Sequence, residues 1–302
     1  MNASKSLLLI VNPKAGKCMA KKVLFDIVSI FSGGGYRVTV HPTQKKGTED
    51  YVKAEAPHYD LVVCCGGDGT LSKVLGGVYA SGADTPVGYI PMGSTNDFAS
   101  NMNISRNPKL AALGILGGTI VPHDLGSING KYFSYILATG AFTGASYSAS
   151  QKLKNSLGHF AYILEGSKYL AKIKAFRMKV VFDGKRTEGN FIYASVSNTT
   201  SVGGLVKFDK DAVNFNDGSF ELVLVRKPAN IKESAELITA ILSNHLNCSC
   251  IKLYHASKVN MLFEEEPCFT VDGEKLETSK AVTVQNHKRA INFVVPKKHF
   301  FR

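Results

Sequence analysis

No run of about eighteen apolar residues, the length a membrane-spanning helix needs, occurs in this chain of 302 residues. The apolar stretch Ser6 to Val11 is too short for a signal peptide and is broken by Asn12-Pro13. A cytoplasmic protein is therefore expected. Six cysteines are present and none forms a C-x-x-C pair. Cys64 and Cys65 fall inside an apolar run and are expected to be buried. His245, Cys248, Cys250 and His255 lie close together, but their irregular spacing does not fit a zinc site. Two common phosphate loops are also missing. Gly16-Lys17 is followed by Cys18, with no glycine five residues before Gly16, so there is no P-loop. Gly67-x-Gly69 is followed by Ser72 where a dinucleotide fingerprint has its third glycine. No nucleic-acid-binding module, internal repeat or low-complexity segment is present.

What is present is the segment GGDGTLSKVL, residues 66–75. It follows the apolar run Leu61 to Cys65 and precedes a helical pattern at Leu71, Val74, Leu75 and Val78. This reads as a strand, a tight glycine turn carrying Asp68, and a helix start. Such a turn brings backbone N–H groups and a helix N-terminus toward an anion. Asp68 would repel a bare phosphate. Mg²⁺ between them removes the conflict, because it takes one or two carboxylates together with phosphate oxygens. Two further turns have the same form: Asn12-Pro13-Lys14-Ala15-Gly16-Lys17 after residues 6–11, and Pro91 to Phe98 after residues 86–90. In a parallel sheet such turns gather at the carboxyl ends of the strands, where ligands bind. The three together imply one Mg–nucleotide cleft.

Residues 1–125 alternate strands (near 6–11, 36–41, 60–65, 86–90 and 119–124) with helices (near 18–31, 48–56, 70–80 and 108–116), the pattern of a doubly wound α/β domain. From 126 to about 289 β-type runs dominate: 131–138, 177–183, 190–197, 219–226, 258–263, 267–271 and 281–285. Asn129-Gly130, Asp183-Gly184, Asp217-Gly218 and Asp272-Gly273 punctuate them. A β-sandwich interrupted by helices near 158–172 and 231–246 is expected, with 290–302 supplying a last strand to either domain.

The net charge is +12, which suggests an anionic partner. Between Lys152 and Arg186 nine basic residues face only Glu165 and Asp183. Phe160, Ile163, Leu164, Leu170, Ala171 and Ile173 stand among those lysines. This could form a basic amphipathic helix at an anionic bilayer surface, or equally a solvated helix packed on its own domain.

The motifs together resemble the bacterial diacylglycerol kinases and related lipid kinases that carry a GGDGT signature. NPKAGK at 12–17, GGDGTLSKVLGG at 66–77, PMGSTNDFA at 91–99, LKNSLGHFAYILEG at 153–166, the NDG turn at 216–218 and VDGE at 271–274 carry the resemblance over nearly the full length. It implies an N-terminal nucleotide domain, a C-terminal β-sandwich, a cleft between them and a tail returning to the first domain. It implies nucleotide contacts from Asn12, Pro13, Lys14, Ala15, Gly16, Thr43, Gly66, Gly67, Asp68, Gly69, Thr70, Leu71, Ser72 and Ser94. Asp68, Asp97 and Asp124 would organise catalytic Mg²⁺. Glu274 would be the general base. Asn214, Asp217 and Ser219 would hold a second, structural ion, although many relatives have Asp-Asp-Gly where this chain has Asn216-Asp217-Gly218. The implied activity is phosphoryl transfer from ATP to a lipid hydroxyl, by an enzyme adsorbed on an anionic membrane surface. A homodimer is a further expectation, and no nucleic-acid partner is expected. An NAD kinase shares the GGDGT loop, but its usual Asn-Glu pair and TPTGSTAY-like motif are absent. A non-catalytic nucleotide-sensing regulator of membranes is the alternative of another class, and the retained Asp68, Asp97 and Glu274 oppose it.

Overall fold

A computed structural model describes residues 5–141, 170, 172–199, 201–202, 206–207, 215–243 and 248–297. Contacts divide the chain into two compact units. The first comprises Met1–Ser134, Phe215–Asp217 and His287–Arg302; the second comprises Tyr135–Asn214 and Gly218–Asn286. The sequence suggests a division at 125, whereas contacts place it after Ser134, because residues 131–133 fold back on the preceding strand.

In the first unit β1 (Lys5–Val11), α1 (Ala15–Gly33), β2 (Tyr36–Pro42), α2 (Thr48–Glu55), β3 (Leu61–Gly66), α3 (Asp68–Ser81) and β4 (Val87–Pro91) alternate as the apolar runs dictate. Two short helices, α4 (Asp97–Asn101) and α5 (Pro108–Leu116), and the hairpin β5 (Thr119–Ile128) and β6 (Lys131–Phe133) follow. The strands run parallel in the order β2-β1-β3-β4. β1, β3 and β4 are almost continuously buried, as both-sided cover by helices requires. α3 buries Leu71, Val74, Leu75 and Val78 along one stripe and stops at Gly82, whose φ of 72° is the left-handed helix cap. From β1 the chain crosses to β2 on one side and later returns to β3 on the other. The loops after β1 and β3 therefore flank a topological switch point, where open α/β sheets bind ligands.

The second unit is antiparallel and carries one described long helix. Its strands are β7 (Ile136–Gly140), β8 (Phe176–Phe182), β9 (Lys185–Ser197), β10 (Ser201–Val202), β11 (Val206–Lys207) and β12 (Phe220–Arg226). α6 (Ile231–Ser243) leads to β13 (Ile251–Ala256), β14 (Lys258–Phe263), β15 (Cys268–Val271), β16 (Glu274–Glu277) and β17 (Ala281–Val295). The main ladder runs β16-β15-β7-β9-β8-β14, and β12 joins β9 to β13. β17 is shared. Its first residues pair with β14, while Phe293 lies beside Val87 of β4 in the first unit. The fold class is the one the sequence implies, an α/β nucleotide-binding domain followed by a β-sandwich domain.

Two details differ from the expectation. The run 131–138 is two strands, broken at Ser134-Tyr135, where the Asp272 carboxylate accepts the N–H of Tyr135 and of Ile136 (both 3.1 Å). α4, β13 and β16 were not expected. α4 has five residues, too few for a helical period to show. The expected helix near 158–172 lies largely outside the described residues, as do Lys152, Lys154 and Lys168 and the motif at 153–166.

Candidate active site

Three glycine turns leave β1, β3 and β4, and hydrogen bonds join them. Asn12 is the hub of the first. Its backbone N–H donates to Cys65 O (2.8 Å), its Nδ2 donates to Thr70 Oγ1 (3.1 Å), and its Oδ1 accepts the Lys14 N–H (3.0 Å). The first two bonds cross the switch point from the β1 turn to the β3 turn. The third turn closes on the other two through backbone contact. A Cβ on Gly67 would stand 3.2 Å from Gly93 Cα, and one on Gly16 would stand 3.0 Å from Met92 O. Gly16 also has φ +56°, so a side chain there is strained as well as crowded. Thr43 reaches the same end of the sheet, its N–H donating to Val11 O at 2.7 Å.

Asp68 was expected on the turn itself. The structure places it one residue further, as the first residue of α3, and only 8% exposed. Its carboxylate stands at the positive end of the helix, which favours a negative charge. Oδ2 accepts the Asp97 N–H at 3.2 Å, and Oδ1 lies 3.3 Å from the Tyr89 hydroxyl. Asp97 likewise opens α4, after Asn96 in the left-handed region (φ 52°). Asp124 lies on another element. It is buried within β5, and its Oδ1 accepts the Arg289 N–H at 2.7 Å, fastening the returning strand β17.

The remaining residues separate by exposure. Lys14 and Ser94 are exposed and free to reach a ligand; Leu71 is fully buried, so only its backbone can face one. Ser72 is spent on the helix, its Oγ donating to Asp68 O at 2.9 Å. Pro13 lies in the first turn, Ala15 opens α1, Gly66 ends β3 and Gly69 is the second residue of α3. Burial pushes the thiols of Cys64 and Cys65 upward, the latter to about 12, which keeps both inert beside the site.

Glu274 belongs to the second unit. It is exposed and opens β16, directly after the two-residue turn Asp272-Gly273 (φ 46° and 85°) that joins β15 to β16. Asp272 is the residue the sequence reading passed over. It is 4% exposed, accepts the two N–H groups at Tyr135 and Ile136, and donates its own N–H to Ile136 O at 2.9 Å. Its Asp-Gly signature reads only as a turn. That its carboxylate also pins the turn to β7 depends on a strand more than a hundred residues away in sequence. Asn96 was missed for a similar reason. It organises the third turn by accepting the Gly93 N–H at Oδ1 (2.7 Å) and donating from Nδ2 to Gly93 O (2.8 Å).

For Mg²⁺, the donor set in the first unit fits a nucleotide-borne ion. Among the described residues no group of three or more His, Cys, Asp or Glu could hold a metal alone, but Mg²⁺ needs only one or two carboxylates when phosphates supply the rest. Asp68 and Asp97, joined through the Asp97 N–H, are the carboxylates that could serve. Of the expected structural-ion ligands, Asn214 lies outside the described residues, Asp217 is exposed, and Ser219 is half-buried.

Residues 6–128 match the diacylglycerol kinase catalytic domain family, and residues 139–295 match the YegS C-terminal NAD kinase beta sandwich-like domain family. A protein named diacylglycerol kinase from Bacillus subtilis (strain 168) is 34% identical over 270 residues, covering 88% of each chain. Another of that name from Staphylococcus carnosus (strain TM300) is 31% identical over 269 residues, 88% of this chain and 87% of its own. The crystal structure of a diacylglycerol kinase from Bacillus anthracis str. Sterne has a TM-score of 0.71 at 21% identity and 98% coverage of both chains, a likeness of fold. With joined glycine turns at the switch point, both family matches and relatives above 30% identity over most of its length, this chain belongs to the diacylglycerol kinase family.

Proposed function

We propose that the chain is an ATP-dependent lipid kinase that transfers the γ-phosphoryl group of ATP to the free hydroxyl of diacylglycerol. One observation carries the reading: three glycine turns joined at the sheet switch point, with a buried carboxylate, Asp68, at the helix N-terminus among them. Phosphoryl transfer asks for positioning and charge neutralisation rather than covalent chemistry. The N-terminus of α3, entered through Gly67, would turn its first N–H groups toward the phosphates, and exposed Lys14 adds a positive charge. Asp68 and Asp97 are the residues that would hold Mg²⁺, which when bound neutralises charge on the transferring group. Glu274, exposed and carried on a pinned turn, is the carboxylate that would take the proton of the acceptor hydroxyl. Among the described residues no helix is long and apolar enough to cross a membrane, and we assign access to the lipid to adsorption on an anionic surface.

The test is transfer of label from γ-labelled ATP to diacylglycerol, to other hydroxyl lipids and to NAD. Label is expected in diacylglycerol and only with Mg²⁺; label in NAD alone would overturn the lipid reading. Asp68→Asn should lower turnover by about a thousandfold, the scale of a lost transition-state charge contact. Glu274→Gln should lower kcat by about a hundredfold, the scale of a lost general base, with KM for ATP unchanged. A rise in KM with kcat spared would make Glu274 a nucleotide contact instead.

A further inference from the structure

Tyr89 stands in the centre of β4 and is fully buried, its ring packed edge-on against Phe98 at 6.1 Å. An apolar residue would fill that place in a central strand. A hydroxyl there is costly unless it is bonded. It points out of the core toward two side chains from different turns. Asp68 Oδ1 is 3.3 Å away and Asn96 Oδ1 is 3.4 Å away. The orientation of the Asn96 amide is set by Gly93, whose N–H donates to Oδ1 and whose carbonyl accepts from Nδ2. Both neighbours therefore present oxygen to a hydroxyl with a single proton, and the nearer and charged one, Asp68 Oδ1, is its favoured acceptor. The Asp68 carboxylate is approached by Tyr89 from β4 at Oδ1 and by the Asp97 N–H from α4 at Oδ2. Two donors arriving at the two oxygens from different elements constrain the plane of the group.

We infer that Tyr89 is a positioning residue, whose hydroxyl holds the Asp68 carboxylate in the orientation that receives the Mg–nucleotide and ties the β3 turn to the β4 turn. The inference rests on the reading of Asp68 as the carboxylate that meets the metal. It deepens that reading by explaining why a tyrosine occupies an otherwise apolar strand.

Tyr89→Phe removes one oxygen and leaves the ring packing in place. In the full chain, calorimetric titration with a non-hydrolysable ATP analogue in Mg²⁺ should show affinity weakened by about tenfold, the size of one lost hydrogen bond to a charged group. The Mg²⁺ concentration for half-maximal rate should rise similarly, while analogue binding in EDTA stays as in the parent protein. A structural role alone would lower Tm without moving the Mg²⁺ dependence, and that result would overturn the inference. Asp68→Asn separates the two claims. If it leaves the Mg²⁺ dependence of binding unchanged, the reading of Asp68 fails. If it abolishes that dependence and Tyr89→Phe does not alter it, only the role of Tyr89 fails. The double variant should be no worse than Asp68→Asn, because both changes act through one carboxylate; additive losses would also overturn the inference.

Discussion

His123 is completely enclosed by Phe98, Phe215 and Phe293, stacked on Phe215 at 5.8 Å with an interplanar angle of 17°. Its Nδ1 bonds to Asp124 O, and among the described residues its Nε2 has no partner. Burial holds its pKa down at about 4, against the ordinary 6.5. The folded protein therefore keeps this ring neutral while the unfolded chain protonates it. Stability should be lost as pH falls from 6.5 toward 4, by about 3 kcal/mol from this group alone. Urea titrations at pH 4.5 and 7 should show a steeper loss for the parent than for His123→Phe; equal slopes would remove His123 from the pH response. Asp272 offers a second test at this scale. Asp272→Ala strips the acceptor from two backbone N–H groups at Tyr135 and Ile136. It should cost about 1–3 kcal/mol, the penalty for stranded donors. Asp272→Asn retains an acceptor oxygen and should recover most of the loss in thermal unfolding.

Among the elements, β17 has the most to lose. Arg289 adopts φ 51° within it, a conformation rare for a side-chain-bearing residue, and its N–H is received by Asp124. Beyond that bend Ile291 and Phe293 are buried, and Phe293 stands beside Val87 of β4. Phe293→Ala should destabilise the protein by about 3–5 kcal/mol, the range for deleting a buried ring. A loss under about 1 kcal/mol would mean that the return strand is not part of the core. His287 fastens the same strand, its ring nitrogens bonding to Tyr79 (3.1 Å) and Ser127 (2.9 Å). None of these ties can be read locally, since Arg289 and Asp124 are far apart in the chain.

For the whole molecule the excess of positive charge is the outstanding property, at +12. Of the basic span, Lys172, Lys174, Arg177, Lys179, Lys185 and Arg186 are described and exposed. Lys174 pairs with Glu265 at 2.8 Å, but both side chains are largely exposed, so the pair contributes little. Each lysine near an anionic bilayer contributes about 1 kcal/mol, and salt screens it. Binding to phosphatidylglycerol vesicles should therefore weaken as salt rises. Replacing Lys172 and Lys174 with Glu should reduce activity on vesicles far more than on detergent-dispersed lipid. Equal losses in both formats would show that these lysines serve the fold.

The order of elements in the first unit was decided locally. Apolar runs such as Leu7–Val11 and Leu61–Cys65 can be satisfied only as covered parallel strands, and the stripe from Leu71 to Val78 only as a helix. The glycine turns were equally legible, because Gly16, Gly67 and Gly93 occupy backbones that other residues crowd. The strands β13 and β16 were not legible. β13 alternates exposed and buried residues weakly, and β16 is short and mostly exposed, so each exists through its partner, β12 or β15. The site divides in the same way. Asp68 and its turn follow from residues adjacent in sequence. The donors that orient Asp68, the Asn12–Thr70 bond and the clasp of Asp272 on β7 join groups separated by tens of residues or more. Sequence alone set the strands β1 to β4, the long helices between them and the glycine turns, since those depend on neighbours along the chain. Which polar groups meet was left to tertiary structure, because hydrogen-bond partners are chosen by strand order and register.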